Sequence, residues 1–253
     1  MAGRRPRGIY PGGPVGDDAG MSSAAVPPGT PQPAPVAPAE LIGRLRPFVL
    51  ARAVVPAGAA AVGEMLPGLV ATLGVDMGGQ VNFVPTATVE ALGGLRAAWK
   101  AAVTNLTRLP AMSVGSLEAT AGHPDSVIYE LHSTDPFGAS RVCHLDGLLA
   151  TAKVAGSRHG LLVALPTWYT VLLHVLTGPG VLAALNVMGK AASAEHAAAS
   201  GPKAVSPDVF FVNSAGKAET VVYSDSMDGL VVNTNGLIKE SLFGPGGLLP
   251  QGR

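Results

Sequence analysis

The chain predicts an α+β domain: a mixed or antiparallel sheet built on hairpins, covered by helices, after a disordered Pro-rich N-terminal tail. Three observations carry this. Short β-rich runs are separated by Gly-rich turns, as in 69–84 and 209–224. One stretch, from Leu95, is amphipathic at helical period. The first forty residues hold nine of the 22 prolines (Pro6, Pro11, Pro14, Pro27, Pro28, Pro31, Pro33, Pro35 and Pro38) and little to bury. The expected organisation is a tail over 1–39, a single domain over 40–243 and a flexible terminus over 244–253.

In the tail the prolines favour solvated extended chain. PxxP spacing occurs at Pro28 to Pro31 and Pro35 to Pro38, but Pro-rich linkers contain such spacings by chance, and a linker is the reading adopted. Met21 offers a second translation start. Arg4 and Arg5 are followed by Gly, Pro and Asp rather than an apolar run, so neither a signal peptide nor a twin-arginine leader is expected.

The domain opens with Leu41, Ile42, Leu45, Phe48 and Val49 at helical spacing, bent by Pro47. A second short helix is expected over 59–66, stopped by Pro67. LVATLGVD (69–76) and VNFV (81–84) read as two strands joined by the Gly-rich turn 77–80. Leu95, Trp99, Ala102, Val103 and Leu106 trace one face of a helix that Pro110 follows. SVIYELH (126–132) alternates as a strand, and a loop follows at 133–138.

From 161 to 188 there is no Asp, Glu, Lys or Arg, which raises a transmembrane helix. Pro166 and Gly178-Pro179-Gly180 divide the stretch into pieces too short to span, and Trp168, His174 and Asn186 would sit at costly depths. Two buried strands followed by a helix from Val181 is the prediction, with Gly201-Pro202 as its stop. VFFVN (209–213) and ETVVYS (219–224) form a second hairpin, and 230–232 adds a short strand. GPGGLLPQGR (244–253) reads as a loose end.

Composition narrows function without naming it. Lys plus Arg and Asp plus Glu are both 17, so no net field draws nucleic acid or an anionic surface. Charged residues are only 13%, a bias in which a GC-rich coding sequence suffices. Cys143 is the lone cysteine, so there is no intrachain disulfide or multi-cysteine zinc site; a reducing, cytoplasmic location is expected.

Chemistry-bearing residues concentrate at 133–146: Asp135, Ser140, Arg141, Cys143, His144 and Asp146. Cys143, His144 and Asp146 contain the types of a thiol activated by imidazole and oriented by carboxylate. Catalytic partners normally meet through the fold rather than along the chain, so a structural cysteine and a surface histidine are expected. Among His123, His132, His144, His159, His174 and His196 no pair has HxH or HxxxH spacing, so no metal is assigned. His174, inside an apolar strand, reads as a hydrogen-bonded core residue. Gly189-Lys190 fails as a Walker loop, because Ala184 and Ala191 stand where Gly and Ser or Thr are needed. Asp225 and Asp228-Gly229 lack the calcium-loop pattern, and Asn105-Leu106-Thr107 is an accidental glycosylation triplet on a helix.

The blocks LGVDMGGQVNFV, AAVTNLTRLP, FGASRVCHLDGLL, HGLLVALPTWYTVLL and SPDVF, in this order, resemble the YtpQ-like family of uncharacterised bacterial proteins. They mark out more than half of the chain. The resemblance implies a mixed α/β domain and brings no activity. The functional expectation is a non-enzymatic interaction or adaptor protein with a protein partner, no cofactor and no nucleic acid. The alternative is a small-molecule binder or hydrolase with its site at 133–146. No catalytic, cofactor-binding or metal residue is assigned.

Overall fold

The structure, a computed structural model, describes residues 38–78, 80–199, 201–225 and 229–250. The tail expected over 1–39 therefore lies, up to residue 37, outside the described residues.

A short helix, α1 (Pro38–Arg44), leads into β1 (Leu45–Ala51), where the sequence had suggested continued helix. Leu45, Phe48 and Val49 do have helical spacing, but β1 pairs over its whole length with β3 (Leu69–Asp76), and that ladder outweighs local preference. The helix expected over 59–66 is likewise a strand, β2 (Ala61–Leu66), pairing with the first half of β3 through a bulged register. The predicted hairpin partner, β4 (Val81–Phe83), takes the second half. Thus β2 and β4 lie end to end along one edge of β3, joined where Leu73 donates to Ala60 and accepts from Val84. These four strands form the smaller sheet.

Helices α2 (Thr86–Ala91) and α3 (Leu95–Leu106) cover part of it: Val89, Ala98 and Ala102 pack on Leu45, Leu73 and Val75. Asn105, in the glycosylation triplet, is buried and donates to the Ile42 and Leu45 carbonyls, pinning α3 to the start of β1.

The larger sheet has seven strands, all antiparallel to their neighbours. In chain order these are β5 (Ser113–Glu118), β6 (Val127–His132), β7 (Leu161–Ala164), β8 (Thr170–Val175), β9 (Val209–Val212), β10 (Ala218–Asp225) and β11 (Gly229–Val232). Their spatial order is β11-β10-β9-β7-β8-β6-β5. A 3-10 segment (Ala139–His144) runs into α4 (Leu145–Ala152) between β6 and β7, α5 (Val181–Ala198) lies between β8 and β9, and α6 (Ile238–Phe243) follows β11. The α+β class and the hairpins at both ends are as expected, and the uncharged stretch from 161 is two buried strands and the start of α5. Among the described residues no helix is long and apolar enough to cross a membrane.

Period-2 alternation sends neighbouring residues of the central strands to opposite faces. Leu162, Ala164, Leu172, Val209 and Phe211 meet Val181, Leu185 and Met188 of α5 and Ile238 and Leu242 of α6. Val163, Leu173 and Phe210 face the other way, toward Val49, Leu69 and Ala71 of the smaller sheet and Val142 and Leu148 of the α4 segment. Gly189 lets α5 lie close on the sheet: a Cβ there would come within 2.7 Å of Val222 and 2.9 Å of Leu230. Lys190 follows it on a helix, not in a phosphate loop. Gly178 and Gly180 admit Asp125, whose carboxylate accepts from the Gly180 amide at 2.8 Å and caps α5.

Part of the expected loose end makes contacts. Leu248 and Leu249 donate to the Ser241 and Leu242 carbonyls and pack on the α5–α6 core. The side chain of Asp225 and all of Asp228 lie outside the described residues.

Candidate functional site

Three of the polar residues singled out in the sequence, Asp135, Ser140 and Arg141, make structural hydrogen bonds. Asp135 accepts from the Phe137 amide and from Arg141 Nη2, the latter at 2.9 Å, and Arg141 also donates to the Pro110 carbonyl. Ser140 Oγ is buried and accepts from the Val49 amide, tying the 3-10 segment to the free edge of β1. Cys143 is half-buried beside Phe48 and Trp168, and burial pushes its thiol up to about 12, far from the range in which a thiolate nucleophile forms. His144 and Asp146 are exposed, and the His144 ring lies against Gly147. The six residues face several different environments and do not converge on one enclosed pocket.

The histidines are equally dispersed. His123 stands near Asp125, His132 shares a hydrogen bond with Thr170, and His159 accepts from Arg158. His174 is buried, with Nδ1–H donating to the Val127 carbonyl at 2.7 Å, as expected of a core histidine. Burial lowers its pKa. Among the described residues no three His, Cys, Asp or Glu side chains gather as a metal set.

What the fold does build is a cleft of about 700 Å³, a size that suits a small ligand. Phe48, Leu50 and Val205 form its buried floor. Val81 and Phe83 of β4 make one wall, and Gly74 beneath them is the reason they fit: a Cβ there would lie 2.6 Å from Val81. Trp168 and the turn 201–205 make the other wall. Trp168 and Lys203 are tied by an amide-to-carbonyl bond of 3.0 Å, and Val205 donates to the Pro166 carbonyl. Phe48 meets Phe83, Phe137 and Trp168 edge-on, with centroids 5.6, 5.9 and 4.9 Å apart, the favoured geometry for aromatic pairs.

The loop 133–144 supports this site from behind. Ala139 donates to the Trp168 carbonyl and Ser133 to the Tyr169 carbonyl, while Gly138 sits so close that a Cβ would lie 2.8 Å from both oxygens. The rim is polar and open, with Gln80, Asn82, His196 and Lys203. Sequence reading assigned no catalytic residue, named 133–146 only as the site of its alternative, and missed the cleft. The cleft's parts, near 48–54, 80–83, 168 and 196–205, share no local motif. The one local signal was Trp168, a large aromatic in the turn between two buried strands.

Comparison of the chain with family models, with curated proteins and with solved structures gives no match.

Proposed function

We propose that the protein is a non-enzymatic binding protein and that the aromatic cleft is its recognition site. One observation carries this: edge-packed rings at Phe48, Phe83 and Trp168 line an open, ligand-sized cleft, with a few polar groups on its rim. Of the polar groups at 133–146, Asp135, Ser140 and Arg141 are engaged in hydrogen bonds that hold this segment in place, and His144 and Asp146 face outward, away from the cleft lining. The resemblance to the YtpQ-like family is kept as part of this proposal and adds no activity to it.

The test uses Nile red, an uncharged apolar dye, with the native full-length chain. The expected result is saturable binding at one site per chain, lost when Ala204→Phe fills the cleft while the melting temperature holds. Absence of binding, or binding that survives the filled cleft, refutes the reading.

The adaptor reading has a specific observation too. All six residues of β5 are exposed at an edge of the larger sheet, including Val114 (43% exposed) and Leu117 (45%), with Glu118 as the single charge. Such an edge accepts an added strand. Replacing Val114 and Leu117 by Lys should abolish specific capture of a protein partner from the native host without lowering stability. If the parent chain captures none, this reading falls.

A further inference from the structure

The cleft's charge distribution says more about its occupant. Its described lining contains two basic side chains, Lys203 and His196, and no carboxylate. Both come from one side: His196 from the last turn of α5, Lys203 from the turn after it. The opposite side offers the neutral amides Gln80 and Asn82. The site is therefore apolar along its floor and positive at one end.

Lys203 carries a full positive charge. Its ammonium sits 5.6 Å from the Tyr169 ring centre, a contact that restrains the long side chain without neutralising it. No described carboxylate lies within ion-pair distance of it. His196 lies near Asp208, a partly buried acid that does not line the cleft.

A neutral apolar ligand would leave Lys203 unused, and a cation would face it. An anionic head on an apolar body satisfies both halves of the cleft at once. We infer that the cleft takes an amphipathic monocarboxylate, its apolar chain on Phe48, Leu50, Val81 and Trp168 and its carboxylate at Lys203. This rests on the cleft being the recognition site. Lys203 is exposed, so its contribution is of the size of a surface ion pair: about fivefold in affinity at low salt, shrinking as salt screens it.

The experiment compares octanoate with octan-1-ol, probes of equal chain length that differ in charge. Each is titrated into the full-length chain and followed by displacement of bound Nile red and by tryptophan fluorescence. Octanoate is expected to bind about fivefold more tightly than the alcohol at low salt. Lys203→Gln should bring the two together while leaving the alcohol unchanged, and 0.5 M salt should do the same in the parent chain. Ala204→Phe should remove both, with Ala51→Phe as the second block if that variant does not fold. Equal affinities in the parent chain, or a preference that persists in Lys203→Gln, overturn the inference while leaving the cleft as a binding site for neutral ligands. A preference that survives the filled cleft also overturns it, by placing the anion elsewhere. Failure of Nile red itself to bind removes the cleft reading and this inference together.

Discussion

Replacing Arg141 by Met tests whether the polar loop is architecture. The guanidinium and its partner Asp135 are 13% and 14% exposed, so both charges are largely out of water. Arg141→Met keeps the apolar stem but deletes the donors to Asp135 Oδ2 at 2.9 Å and to the Pro110 carbonyl at 2.8 Å. The Asp135 carboxylate would then stay largely buried, keeping the bond from the Phe137 amide and the more distant charge of Arg46. Removing one member of a fully buried pair costs about 3–5 kcal/mol, and the residual exposure here argues for the lower end, about 3 kcal/mol. Urea denaturation should show this as a lower midpoint at unchanged slope. A thermal scan should show a drop of about 6–12 °C for a domain of this size. Adding Asp135→Asn should recover part of the loss, with a coupling energy of about 2 kcal/mol in the double-mutant cycle. A single-variant cost below about 1 kcal/mol, or strict additivity, would refute the claim that this pair braces the cleft wall.

Three further outcomes follow from the geometry. Cys143, its thiol pushed up to about 12 by burial, should react with a thiol reagent at pH 8 far more slowly than an exposed cysteine; rapid stoichiometric labelling of the native protein would contradict its packing. His174 has its pKa lowered by burial, so below its unfolded value of 6.5 the unfolded chain takes up the proton first. Its contribution is thus intact above that value and lost as pH falls from 6.5 toward the lower folded value, at up to about 1.4 kcal/mol per pH unit. Denaturation midpoints of His174→Gln should depend less on pH between 7 and 5 than those of the parent, and identical slopes would remove the assignment. Gly160 has φ +90°, and a Cβ there would collide with the Val212 carbonyl and the Phe211 ring. Gly160→Ala should therefore destabilise by about 2 kcal/mol or more, combining backbone strain with overpacking, as read from urea midpoints; a neutral result would mean that the β7–β9 pairing is looser than described.

Much of the fold was legible where pattern and environment agreed. The strands β7 and β8 and the start of α5 follow from an uncharged run cut by Pro166 and by Gly178-Pro179-Gly180. Helix α3 follows from its apolar stripe ending before Pro110, and β9–β10 from a turn between two β-rich runs. His174 was readable for the same reason, since a lone imidazole in an apolar strand has to find a backbone partner. The two strands misread as helix, β1 and β2, are those whose conformation depends on β3 between them. Leu45, Phe48 and Val49 satisfy a helical period in isolation, and only the ladder to β3 decides otherwise. β5 went unassigned because SVGSLE is exposed on every residue and has no buried face to produce alternation.

The sequence by itself determined the α+β class, the two hairpins and the burial of the stretch from 161, because each depends on interactions among residues near one another in the chain. The tertiary structure alone decided that there is a ligand-sized cleft and which residues line it. Phe48, Phe83, Trp168 and Lys203 lie on four separate segments and acquire a common cleft only when the β1–β3–β4 sheet and the β7–β8 turn close on one another. It also decided the surroundings of the loop 133–146: Arg141 and Asp135 pair with each other largely out of water, while His144 and Asp146 are exposed.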